Sequence, residues 1–151
     1  MELKRASMIA RDLMNFHGLK YSWEFDFDNA VRRFGACNRE RKVISLSAPL
    51  TELNDETHVI NTILHEIAHA LAPDREWHGP NWRTIAKSIG CDGNRCYGRE
   101  VMAPAHKWIG TCPACLRTVK RHKRGQLACA FCCKGKFNAD YLFTWTEGGT
   151  K

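Results

Sequence analysis

Residues His65-Glu66-Ile67-Ala68-His69 carry a His-Glu-x-x-His pattern inside a segment with helical patterning. Two histidines four residues apart lie on one face of a helix, about one turn apart. Both imidazoles can then reach a single zinc ion at roughly 2.0–2.1 Å. Glu66 falls about 100° round the helix from His65, where its carboxylate can take a proton from a zinc-bound water. Val59, Ile60, Ile63, Leu64, Ile67 and Leu71 share one broad side of the projected helix. His58, Thr62, His65, Glu66 and His69 share the other. An apolar back and a ligand-bearing front suit the floor of a zinc cleft. His58 is two turns before His65, roughly 10 Å along the axis, and cannot share the ion.

A catalytic zinc needs a third protein ligand and leaves a fourth position open. His78 is the best placed, followed by Gly79 and Pro80 at a turn into a further helix. Trp82, Ile85, Ala86 and Ile89 keep helical spacing there, and Gly90 ends the segment. Asp74 and Glu76 are weaker ligand candidates on an unanchored loop. The longer pattern with a glycine and a third histidine fails, because Ala72 and Arg75 stand at those places. Asn54 or Asp55 is the expected N-cap of the His-Glu-x-x-His helix, and Pro73 its stop.

The second chemical signal is thiol spacing. Cys112-Pro113-Ala114-Cys115 is followed by Cys129-Ala130-Phe131-Cys132. Two such knuckles read as a four-cysteine zinc ribbon, a closed structural site that staples a segment too short for its own core. Cys133 follows Cys132 directly; either can be the fourth ligand, and Cys132 keeps the knuckles alike. Cys37, Cys91 and Cys96 remain; the last two flank a turn-rich loop and read as two buried thiols, with a further metal site as the alternative. Tyr97 is a candidate oxyanion stabiliser.

Around these residues stand the elements that must position them. Ile9, Leu13 and Phe16 fit one face of an N-terminal core helix ending near Gly18. Tyr21, Trp23, Phe25 and Phe27 alternate as in a half-buried strand. Val31 to Cys37 and Lys42 to Ser47 are expected to pair as a hairpin, giving a small mixed sheet with an edge to which an extended peptide can add. The chain of 151 residues has a net charge of +7. Residues 1–103 are balanced, with 14 basic and 14 acidic side chains, whereas 104–151 hold nine basic against two acidic. Arg117, Lys120, Arg121, Lys123 and Arg124 lie between the knuckles, where a basic β-hairpin is expected to meet a phosphate backbone without reading bases. The nearby aromatics, Trp108, Phe131, Phe137, Tyr141, Phe143 and Trp145, are expected mainly in the core. No apolar run is long enough for a membrane span, and the N-terminus does not read as a secretory signal, so a cytoplasmic location is expected.

The combination resembles the SprT-like family of zinc metallopeptidases, which includes the Spartan-type proteases. It rests on FGACNRERKVISLS leading into HVINTILHEIAHAL, then HGPNW, then CPAC and CAFCCKGKF. It covers most of the chain, from Tyr21 to the second knuckle. The resemblance implies an α+β fold: a zincin-like core over 1–103, with a small sheet beside the active-site helix, and a β zinc ribbon over 104–151. It implies zinc binding by His65, His69 and His78, with Glu66 as catalytic acid and base. Characterised eukaryotic members degrade proteins crosslinked to DNA and are activated by DNA; this chain looks like a compact bacterial or phage type. The expectation is one catalytic and one structural zinc, a protein substrate, and sequence-independent DNA as a partner. A nucleic-acid-binding zinc protein without proteolysis, and a metallopeptidase unrelated to DNA, are the alternatives. An intact His-Glu-His set argues against the first, since pure binding does not need Glu66.

Overall fold

The computed structural model describes residues 1–95 and 100–148. The fold is α+β, and the chain divides into two compact units, Met1–Pro104 and Ala105–Lys151. In the first unit, helix α1 (Leu3–Phe16) buries Ala6, Ala10 and Met14, spaced four apart, with Ile9 and Leu13 packed beside them. The core face is thus centred on small residues. Phe16, at the last turn, overhangs it, stays 82% exposed and packs edge-on against His17. Strands β1 (Glu24–Asp28), β2 (Gly35–Asn38) and β3 (Val43–Ser47) form a sheet of order β1-β3-β2. β1 runs parallel to the central β3, and β2 antiparallel to it. The expected β2–β3 hairpin is therefore present, with a shorter first strand. The expected strand from Tyr21 starts three residues later. The Ser22 and Trp23 N–H groups both donate to the Leu19 carbonyl, and this turn leaves Tyr21 94% exposed.

Helix α2 (Ala48–Leu53) was not anticipated, although its signals are ordinary. The Ser47 hydroxyl accepts the Leu50 N–H at 3.1 Å, and a proline sits in the first turn. Helix α3 (Glu56–Leu71) carries the His-Glu-x-x-His pattern and is capped by Asp55, whose carboxylate accepts the His58 N–H at 3.0 Å. Asn54 instead bridges two segments. Its amide donates to the Leu50 and Met102 carbonyls, each at 2.8 Å, and accepts the Met102 N–H. The last segment of the unit is thereby tied to α2. Ala72 is extended before Pro73, which ends α3.

The polar, ligand-bearing front of α3 carries His65 and His69, but burial is not confined to its apolar back. Val59, Ile63 and Ile67 enter the core shared with α1 and the sheet. Leu64 and Ala68 pack with Trp82 and Ala86 of helix α4 (Pro80–Ser88). Thr62 and Glu66 are also buried, while Leu71 is exposed at the helix end. Three buried faces fix the rotation of α3 about its axis, which two histidine ligands require. α4 opens with Pro80 and closes on Gly90 at φ +93°, as its sequence predicts.

The second unit holds β4 (Trp108–Thr111), β5 (Thr118–Arg121) and β6 (Thr144–Glu147) in the order β5-β4-β6, all antiparallel, with a one-turn helix α5 (Ala130–Cys133). The basic hairpin expected between the knuckles is replaced by a single strand. β5 pairs back with β4 across the first knuckle, and Lys123-Arg124-Gly125 beyond it has no strand-forming side chains. Phe143 is buried as expected, but Phe131 and Phe137 are exposed. Among the described residues, no helix is long and apolar enough to cross a membrane.

Ile63 is fully buried on the side of α3 away from the histidines. Ile63→Ala should cost about 2–5 kcal/mol of stability through lost burial and a residual cavity. Urea unfolding should show this as a lower midpoint with the slope unchanged.

Candidate metal centres and catalytic cleft

His65 and His69 project from α3, and His78 stands two residues before α4. Their Nε2 atoms form a near-equilateral triangle: 3.1 Å from His65 to His78, 3.1 Å from His69 to His78, and 3.2 Å from His65 to His69. Mutual hydrogen bonding cannot account for this. Each neutral Nε2 offers either an N–H or a lone pair, so in any triangle at least one pair faces like against like. Three lone pairs aimed at one point suit a cation instead. Tetrahedral zinc at about 2.0–2.1 Å from each nitrogen sets the nitrogens about 3.3–3.4 Å apart, close to what is found. Burial lowers the pKa of His65 to about 4, with His78 adding to the effect, and of His69 to about 3, with His65 and His78 adding to it. His78 is lowered by burial and by Arg95. The rings are thus kept neutral and ready to donate lone pairs.

Several residues hold this geometry, and most were not legible as functional. Trp82 is fully buried, and its indole meets all three imidazoles at centroid distances of 4.7, 5.2 and 4.6 Å. Its helical spacing marked it only as core. The Arg39 guanidinium donates to the carbonyls of His69 and Ala72, the latter at 2.8 Å, and pairs with Asp74 at 2.9 Å. It clamps the end of α3 to the end of β2. Glu76 is no ligand. Its carboxylate accepts the Asn81 N–H at 3.1 Å, supplying the cap that Gly79 cannot, and so fixes the junction that carries His78. His58 bonds Asp55 at 2.9 Å, away from the cluster.

Glu66 is 7% exposed and lines the same cleft of about 1240 Å³ as the three histidines. Burial raises its pKa to about 8, opposed by Arg33. Across from it runs β2, which with the flanking Phe34, Arg39 and Glu40 forms one wall of the cleft. A Cβ on Gly35 would stand 2.6 Å from Glu66 Oε1 and 2.9 Å from the Thr62 methyl, so only glycine permits this approach. Cys37, half-buried on the same wall, has its thiol pushed up to about 12 by burial and Glu66.

In the second unit Cys112, Cys115, Cys129 and Cys132 bring their sulfurs within 4.8 Å of one another. Cys112–Cys132 is 3.8 Å and Cys115–Cys129 is 3.7 Å. Tetrahedral zinc–thiolate bonds of about 2.3 Å require about 3.8 Å between sulfurs, so this donor set also fits. Cys133 points elsewhere, its sulfur 3.9 Å from the Asn138 carbonyl. Cys91 is buried among apolar side chains beside Trp82 and Ala86. Cys96 and Tyr97 lie outside the described residues. Lys120, Arg121, Lys123 and Arg124 occupy β5 and the segment after it, where the Arg124 guanidinium lies 4.2 Å from the Trp108 ring centre. Arg117 lies 3.8 Å over Phe131.

Three imidazoles with a buried carboxylate beside them, and four thiols in a separate unit, define two candidate metal sites of different character. The SprT-like family model matches residues 5–101, and the chain belongs to the SprT-like family. Protein SprT of Pseudomonas putida (strain W619) is 28% identical over 123 residues, covering 74% of each chain. Among solved structures, the crystal structure of the metallopeptidase zymogen abylysin of Pyrococcus abyssi is similar at TM-score 0.45 and 13% identity, over 56% of this chain and 87% of that one.

Two expected outcomes follow from the packing. Cys112→Ser should lose one zinc per chain while Cys133→Ser retains it, as read by elemental analysis of purified protein. Gly35→Ala should destabilise by about 1–3 kcal/mol through overpacking. That cost should shrink, without vanishing, in a Glu66→Ala background, which removes the carboxylate and Cγ the new methyl meets and leaves the Thr62 methyl; a double-mutant cycle by chemical denaturation measures the coupling.

Proposed function

We propose that this protein is a zinc-dependent endopeptidase acting on DNA-associated proteins. The observation that carries the reading is the triangle of Nε2 atoms with buried Glu66 beside it in one cleft. His65, His69 and His78 would hold the zinc, which when bound supplies a Lewis acid that acidifies water and polarises a carbonyl. Glu66 accepts the proton of the attacking water and later passes it to the leaving amine. A cation held by the imidazoles would favour the ionised carboxylate that accepts the proton, and burial favours the protonated form that passes it on. Among the described residues no strand covers the outer edge of β2, so an extended substrate can add its backbone there. Arg39 keeps that edge and the histidine helix in register.

The nucleic-acid part of the reading is supported by the second unit. All of the chain's +7 excess falls there. Arg117, Lys120, Arg121, Lys123 and Arg124 lie on or beside β5, an edge strand, and two of these arginines lie over aromatic rings. Such cations bind phosphates without regard to sequence. The four cysteines would hold a structural zinc that fixes this small unit.

The deciding measurement is cleavage of a DNA-bound protein, with and without DNA. Glu66→Gln should keep its zinc and fold and lose cleavage by several orders of magnitude. Replacing Lys120, Arg121, Lys123 and Arg124 with Ser should weaken DNA binding and lower the slope of log affinity against log salt by about 0.7–0.9 per lost contact. Cleavage of a free, flexible peptide by that variant should stay near native. Unchanged DNA affinity and salt slope would point to a peptidase unrelated to nucleic acid.

A further inference from the structure

The loop between α3 and α4 uses alternate side chains differently. Asp74 pairs with Arg39 at 2.9 Å, Glu76 accepts the Asn81 N–H at 3.1 Å, and His78 joins the imidazole cluster. The Glu76 N–H also closes a turn on the Pro73 carbonyl at 3.3 Å. Between these anchors, Arg75 and Trp77 make no ion pair or ring contact among the described residues, and the Trp77 indole is 80% exposed. Arg75 even holds a positive φ of 66°, a conformation that costs a non-glycine residue energy and persists only where its surroundings enforce it. Both residues line the cleft, and Trp77 is next in sequence to a candidate metal ligand. A large apolar side chain left in water on a pinned loop, next to the reacting groups, still has its burial free energy to release. Arg95, after α4, also lines the cleft without an acidic partner among the described residues.

We propose that the loop 73–79 is a specificity wall: Trp77 packs a bulky apolar side chain of an extended substrate segment lying in the cleft, and Arg75, with Arg95, favours an acidic side chain close by. This rests on the peptidase reading above and adds the class of segment that is cut. The anchoring of Asp74, Glu76 and His78 holds the loop backbone that carries Trp77, so the backbone need not be ordered when substrate arrives. An apolar contact of this kind discriminates by about 10–200-fold, which selects among exposed segments without restricting the enzyme to one sequence.

The experiment uses quenched fluorescent peptides that differ at one position, Phe against Gly, and at a flanking position, Glu against Lys. With native protein, kcat/KM should favour Phe over Gly by about tenfold or more and Glu over Lys by a smaller factor. Trp77→Ala should collapse the Phe-to-Gly ratio towards one, and Arg75→Glu should reverse the Glu-to-Lys ratio. Binding of the uncleaved Phe peptide to Glu66→Gln protein should shift tryptophan emission, and Trp77→Phe in that background should abolish the shift. If peptides are cut in a Glu66-dependent manner with ratios indifferent to both substitutions, the wall is refuted and the peptidase reading stands. If nothing is cut, the peptidase reading fails, and equal affinity of Glu66→Gln protein for the Phe and Gly peptides overturns the wall as well.

Discussion

Three imidazole nitrogens 3.1–3.2 Å apart are the arrangement on which the first unit depends, and one the rings would not adopt by themselves. Without a cation their lone pairs or N–H groups oppose one another, so the surrounding chain must enforce the approach. It does so from four directions. The core faces of α3 fix how the helix is rotated, and with it the exit vectors of His65 and His69. Arg39 binds the carbonyls at the end of that helix. Glu76 seats the start of α4 and so the position of His78. Trp82 lies against all three rings and prevents them from turning away. Sites whose supporting residues are locked by packing and hydrogen bonds bind metal more tightly than ligands on free side chains.

The same enforcement explains why Glu66 is buried. A carboxylate taken from water carries a penalty unless charge or hydrogen bonds replace the water, and here burial raises its pKa to about 8. The edge strand must come close enough to shield it, which excludes any side chain at Gly35. A cation bound by the imidazoles would draw the carboxylate back towards its ionised form. Metal loading and the proton-accepting capacity of Glu66 are thus coupled within one cleft. The edge of β2 and the buried acid are one structural compromise: the strand that hides Glu66 also presents its free backbone edge to the cleft.

The candidate ligands were legible because their spacing is set by geometry that any helix or knuckle obeys. A four-residue spacing, close to one 3.6-residue turn, places His65 and His69 together, and two-residue gaps place each cysteine pair. His78 was legible because glycine and proline mark a rigid junction. What supports them was not, since support is a matter of contact between distant elements. Arg39 and Glu76 read as ordinary loop charges, and Trp82 as a core residue of α4. Tyr21 belonged by alternation to a strand, yet a local turn at Leu19 outcompeted it. The basic stretch between the knuckles suggested a hairpin, but β4 offered β5 a closer partner across the first knuckle. Periodicity reports which face a residue takes; it does not report which neighbour claims the backbone.

The two donor sets also differ in what surrounds them, and this bears on their chemistry more than ligand type alone. The cysteine cluster packs with Phe143, Val119, Tyr141 and Trp145 and forms the core of its small unit. Four thiols complete a tetrahedron there, so a zinc would have no position left for substrate. Crowding of the thiols pushes Cys132 up to about 12, while the Cys115 backbone N–H holds Cys112 down to about 7. The sulfur spacing of 3.7–3.8 Å suits a tetrahedral cation. The histidine cluster instead lies at the wall of an open cleft and offers three donors, with a buried acid nearby and an exposed indole at the rim. In the one unit the metal would replace a hydrophobic core. In the other the core is already built, and a metal can be devoted to chemistry.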